Sequence, residues 1–213
     1  LKVQRENKDG AILPLVATDL PVVVGEAHDG EGAALGWRFK LWFRDSKVVL
    51  PSGQPRVVYH RTAANFDVFD TERGDLGAHF GTSRQAEALM GGAMRPGERT
   101  LAVYLSIQNP IRLQDKGGFH ADAVAPQLRR LGILDRPTAL RLARIGDIGT
   151  VSERRAANRE IREHLRLAGF DGVVYRNTTE EGGDSYIIFD PCQVKSATAN
   201  SGMYDWNDES ICG

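Results

Sequence analysis

Arg56-Val-Val-Tyr-His-Arg-Thr62 is a short apolar strand that carries a histidine, His60, to its polar end, and two later segments answer it in order. Gly77-Ala-His-Phe-Gly81 is a glycine-bounded strand that runs straight into Thr82-Ser-Arg-Gln85. That tetrapeptide is a capping box, in which the Thr82 hydroxyl and the Gln85 amide satisfy open N–H groups at a helix start. Asp184-Ser-Tyr-Ile-Ile-Phe-Asp190 alternates as a sheet strand does. Neighbours in a strand point to opposite faces, so His79 and Phe80 cannot share one: one ring is available to a ligand, the other to a core.

Outward from these segments, Leu35, Phe39, Trp42 and Phe43 fall at helical spacing and predict a helix with one aromatic face. Asp45 to Gln54 reads as a short strand and a Pro-Ser-Gly turn. Gly91-Gly92 is placed to stop the helix that Thr82 starts. Thr100 to Ile107 is a strand by its β-branched and aromatic content, ended by Asn109-Pro110. Three helices are expected over Ala121–Leu131, Pro137–Ile145 and Ser152–Ala168, with Gly169 closing the last. Val173–Arg176 and Ser185–Phe189 are two further strands joined by the polar loop Asn177–Gly183. The expected organisation is an N-terminal arm and linker over 1–33, one domain over 34–200 and a polar C-terminal tail over 201–213, on the surface or disordered.

The chain has 213 residues, enough for one buried core but small for two full domains. Its net charge of -1 lacks the basic excess of a typical nucleic-acid binder, and the arginines crowded between Arg129 and Arg166 are expected to be solvated helix faces. Cys192 and Cys212 have no Cys or His at ligand spacing, so neither a disulfide framework nor a metal site is expected, and Cys192 reads as a structural thiol. His-Glu-x-x-His, Cys-x-x-Cys and phosphate-loop patterns are absent. No stretch has the apolar length of a membrane span, and the opening on Leu1 predicts a fragment or processed product.

The segments Tyr59-His-Arg-Thr62, Gly77-Ala-His-Phe-Gly81 and Ser185-Tyr-Ile-Ile-Phe-Asp190, followed by Gln193-Val194, resemble the His, aromatic and Glu motifs of ADP-ribosyltransferases of the diphtheria-toxin and poly-ADP-ribose-polymerase type. Asp45-Ser-Lys-Val-Val49, Gly169-Phe-Asp-Gly-Val-Val174 and Phe189-Asp-Pro-Cys-Gln-Val-Lys-Ser196 are similar to the ADP-ribosyltransferase-like domains of phage polyvalent proteins and bacterial polymorphic toxins. The resemblance spans residues 35 to 205. It implies an α+β fold with a split, mixed or antiparallel β-sheet, peripheral helices, and NAD as co-substrate in the cleft.

By the same resemblance His60 and His79 are catalytic and NAD-binding residues, the Arg61 backbone grips the carboxamide, Thr62 lends a hydroxyl, and His79 or Phe80 stacks on the pyridinium, with proton transfer as the alternative role of His79. Three positions depart from the family pattern. Arg61 replaces the usual Gly, His79 replaces the stacking Tyr, and Ser185 stands where the catalytic Glu is expected. Asp184 is then the first candidate for the missing carboxylate, provided that a bulge turns it inward, with Glu180 and Glu181 as alternatives.

The implied activity is mono-ADP-ribosylation by a toxin, phage or effector module. Its partners would be a macromolecular acceptor, protein in preference to nucleic acid, and an immunity or inhibitor protein, with no membrane. Localisation is unknown; the expectation is a soluble module, secreted or injected within a larger protein and acting in a target-cell cytoplasm. Two alternatives stay open: a catalytically inactive module that binds NAD, ADP-ribose or a protein, and a metal-independent ribonuclease using His60 and His79 as acid and base.

Overall fold

A computed structural model describes residues 35–88, 95–180 and 182–213. The expected arm over 1–33, the Gly91-Gly92 helix stop and Glu181 lie outside the described residues.

The fold is α+β, built on a β-sheet split in two. β1 (Val58–Thr62), β3 (Arg99–Leu105) and β7 (Val194–Ser196) form an antiparallel sheet in the order β1-β3-β7. β2 (Ala78–Phe80), β6 (Asp184–Ile188), β5 (Gly172–Arg176) and β4 (Pro110–Gln114) form a second sheet in the order β2-β6-β5-β4, antiparallel except for the parallel β4–β5 pair. Among the described residues one antiparallel bridge joins the two: Tyr59 N–H donates to Gly81 O at 2.8 Å and Gly81 N–H to Tyr59 O at 3.0 Å. Beyond that bridge β1 and β2 part, and the parting opens a cleft.

Alternation decides what each face buries. Val103 and Leu105 of β3, with Val58 of β1, face the second sheet, where Phe80, Val174, Tyr186 and Ile188 complete an apolar layer between the sheets. Tyr104 points the other way and packs with Phe39, Trp42 and Phe43 of α1 (Trp37–Phe43), the aromatic face that the helical spacing predicts. The opposite face of the second sheet, through Ile111, Val173 and Ile187, is covered by α3 (Ala121–Arg130), α4 (Arg136–Ile148) and α5 (Val151–Leu167). In α5 the buried residues Ala157, Ile161 and Leu165 recur every four positions, and Thr150 with Glu153 forms a capping box ahead of the Ser152 start expected from the sequence.

Three features differ from the sequence reading. β3 ends ahead of Asn109-Pro110 as expected, but Pro110 then opens a strand that the sequence reading lacked, β4, an edge strand whose first residue needs no N–H to donate. The arginine-rich helices are not wholly solvated, because Arg162 is buried. The stretch set off at 201 is built into the fold: Ile211 joins the layer between the sheets, its N–H donates to Asp67 O at 2.8 Å, and the buried Lys195 donates to the carbonyls of Asp208 and Ser210 at 2.7 and 2.6 Å.

Candidate active site

Where β1 and β2 separate, a cavity of ≈ 740 Å³ is walled by His60 and Thr62, the loop that follows β1, Asp75, Gly77, His79 and His120. Its size lies within the ~300–1,000 Å³ usual for small-molecule sites. The C-terminal segment helps to shape it, since Ser210 bridges to Val68 on the cavity loop.

His60 sits at the join of the two sheets. Its Nδ1 lies 2.8 Å from His79 O, and because a carbonyl only accepts, Nδ1 carries the proton and Nε2 is left as an acceptor. The ring packs on Phe69 at 5.0 Å and Phe80 at 5.5 Å. Burial lowers the His60 pKa below its ordinary value, overcoming the opposing bond to the His79 carbonyl, so the imidazole is neutral at pH 7.

Strand alternation separates Arg61 from its neighbours. Its side chain turns away from the cavity, pairing with Glu98 at 2.5 Å and donating to Glu87 O at 3.2 Å. Because Tyr59 spends its N–H and C=O on Gly81, the same backbone groups of Arg61, two residues on, face the side where the sheet opens. Thr62 lines the cavity, and its hydroxyl accepts from Ala64 N–H at 3.1 Å.

His79 and Phe80 divide as alternation requires. Phe80 is 2% exposed and packs on Phe69 within the layer between the sheets, so of the two rings His79 alone lines the cavity. His79 Nε2 is 2.8 Å from Asp75 Oδ1 and its Nδ1 is 3.1 Å from Tyr175 Oη. Asp75 and Tyr175, along with Phe69 and His120, are site residues that the sequence reading missed. Only Asp75 has a local signal, its place four residues before His79.

Neither residue proposed around the Glu position reaches this cavity. β6 runs in unbroken register, Tyr175 opposite Ser185 and Arg176 opposite Asp184, so the bulge that would turn Asp184 inward is not formed. Asp184 projects from the face carrying Arg112 and is held there by Nη1 at 3.0 Å and Nη2 at 2.8 Å; that pairing, against some burial, lowers its pKa. Ser185 is buried on the helix side of the sheet, donating to Gln85 Oε1 at 3.1 Å. Gln85 also completes the Thr82 box and donates to Gly182 O at 2.8 Å, tying α2 (Ser83–Ala88) to the β5–β6 hairpin. In that hairpin Glu180 accepts from Asn177 Nδ2 at 2.5 Å.

The split sheet, the histidine on β1 and the aromatic–helix junction after β2 occur in the order that the family pattern requires. Residues 51–204 match the family described as ADP-ribosyltransferase in polyvalent proteins. The chain belongs to that family. Neither a curated protein nor a solved structure gives a significant match. ADP-ribosyltransferases use NAD as co-substrate. Among the described residues of this family member, no helix is long and apolar enough to cross a membrane.

Proposed function

We propose that the chain is an NAD-dependent mono-ADP-ribosyltransferase of toxin, phage or effector type that acts on a macromolecular acceptor, protein in preference to nucleic acid. The supporting observation is the cavity at the sheet split, into which His60 faces as a neutral, oriented acceptor. The residues present fit NAD. The opening beside β1 offers main-chain polar groups and His79 offers a flat ring.

NAD supplies a glycosidic bond whose electron pair leaves with nicotinamide as an acceptor nucleophile bonds to the ribose carbon. The protein's part is to hold the reactants and stabilise developing positive charge. His60 Nε2 accepts a hydrogen bond from a ribose hydroxyl, and the Arg61 main chain engages the carboxamide. Thr62 borders the same pocket and His79 presents its ring. Nicotinamide release from NAD by the parent chain, lost in His60→Ala, is the test.

A second reading keeps NAD binding without turnover. It draws on the buried Ser185 at the Glu position and on Asp184 being ion-paired on the other face. Thermal stabilisation by NAD with no nicotinamide released would favour it. The ribonuclease alternative is weaker on geometry. Acid–base chemistry needs two imidazoles with nitrogens on the substrate, whereas both His79 nitrogens and one of His60 are engaged by the protein.

A further inference from the structure

Asp75 reaches the cavity from the loop ahead of β2, and each of its carboxylate oxygens has a partner. Oδ1 faces His79 Nε2 at 2.8 Å, and Oδ2 accepts from Phe119 N–H at 3.1 Å. The second contact matters because a backbone N–H only donates, so the carboxylate cannot rotate without losing it. On the far side of the imidazole, Tyr175 Oη lies 3.1 Å from Nδ1. Burial raises the Tyr175 pKa, so the phenol keeps its proton at neutral pH and can donate it to Nδ1. Phe119 and Tyr175 also meet the ring at 5.6 and 6.0 Å, with interplanar angles of 61° and 70°, which fixes its plane. The three polar groups form one row, Asp75, His79, Tyr175, running from the cavity wall into the helix side of the second sheet.

We infer that Asp75 is a positioning residue that keeps the proton of His79 on Nε2 and fixes the plane of the ring, so that His79 serves the cleft as an oriented surface and not as a proton shuttle. The inference rests on the ADP-ribosyl-transfer reading for its catalytic consequence, but the proton assignment stands on geometry alone. Burial by itself would raise the Asp75 pKa; the bonds from His79 and Phe119 outweigh it and hold the carboxyl below its ordinary value. The residue is therefore an anion at neutral pH, the state that accepts from two donors at once.

The test is nitrogen-15 NMR of the histidine ring nitrogens together with nicotinamide-release kinetics, on the parent, Asp75→Asn, His79→Ala and the double variant. In the parent, the His79 resonances, assigned by their loss in His79→Ala, show a protonated Nε2. In Asp75→Asn the amide oxygen is required by Phe119 N–H, so the NH2 group faces Nε2 and the proton moves to Nδ1. With the charge-assisted bond that fixes the ring replaced by a weaker neutral one, the ring loses its fixed plane and kcat falls on the order of tenfold or more. KM for NAD stays within about twofold, because the wall itself keeps its shape. Asp75→Asn has no additional effect in the His79→Ala background, as expected for a residue acting through its neighbour. An Nε2 that remains protonated in Asp75→Asn, or additive losses in the double variant, overturns the inference. Absence of nicotinamide release from the parent defeats the transferase reading instead, and the ring-nitrogen spectra then decide the role of Asp75.

Discussion

Replacing Arg162 by Met tests how the cavity wall is held. Arg162 leaves α5 with its side chain 2% exposed and donates from Nη1 to the carbonyls of Thr71 and Leu76, both at 3.1 Å, while Nη2 meets Glu72. These contacts clamp both ends of the 71–76 loop, which supplies Arg73 and Asp75 to the cavity. Burial pulls the guanidinium pKa down to about 10, still cationic at neutral pH. Methionine fills most of the volume, so a large cavity term is not expected. Two carbonyls lose a charged donor, at about 1–3 kcal/mol each, and relief of the arginine's own desolvation offsets part of that. Glu72 is 42% exposed and retains Arg159 at 2.7 Å, so its contribution is small. The net loss is about 2–3 kcal/mol, which for a chain of this size lowers Tm by roughly 5–10 °C. Calorimetry gives Tm, and urea unfolding with an unchanged m-value confirms that the native state has lost stability. KM for NAD should rise as the 71–76 loop loses its fixed position in the cavity wall. A Tm within about 2 °C of the parent, with KM unaltered, would refute the clamp.

Gly77→Ala brings a Cβ to 2.1 Å from Ile188 O, a backbone atom that cannot step aside. A loss of at least the ~1–3 kcal/mol typical of overpacking is expected in chemical denaturation, with weakened β2–β6 pairing visible as faster amide exchange at Ile188. His60 predicts an acid limb to stability. Its folded pKa lies below the ~6.5 of the unfolded chain, so its contribution is whole above that pH and is lost as pH falls through the lower folded value. Tm measured from pH 8 to pH 5 should show this slope, and His60→Gln should flatten it. Asp184→Ala removes a half-exposed ion pair with Arg112, so a stability change within ~1 kcal/mol and retained nicotinamide release are expected; lost release would return Asp184 to the site.

Local signals carried much of the architecture. The apolar run from Arg56 to Tyr59, the Thr82–Gln85 box and the alternation of Asp184 to Asp190 are properties of adjacent residues, and β1, α2 and β6 form where they point. The split of the sheet came from motif order, since no local pattern shows that β1 and β2 touch at one bridge and then part. Partners distant in sequence stayed hidden. Tyr175 lies 96 positions from His79, and nothing in the β5 sequence marks its hydroxyl as a ligand for an imidazole. Arg162 looks like its exposed neighbours until the 71–76 loop covers it. For Asp184, alternation predicted the wrong face for catalysis, and the regular register of β6 means that no bulge reverses it.

In the proposed function the cleft at the sheet split cleaves the nicotinamide bond of NAD with His60 as the orienting acceptor. Nicotinamide release, followed chromatographically for the parent and His60→Ala at equal folded concentration, tests it most directly. Release by the parent is expected, with a fall on the order of a hundredfold in the variant, the scale of losing an oriented group at the reacting centre. No release from the parent, or equal release from both proteins, would contradict it.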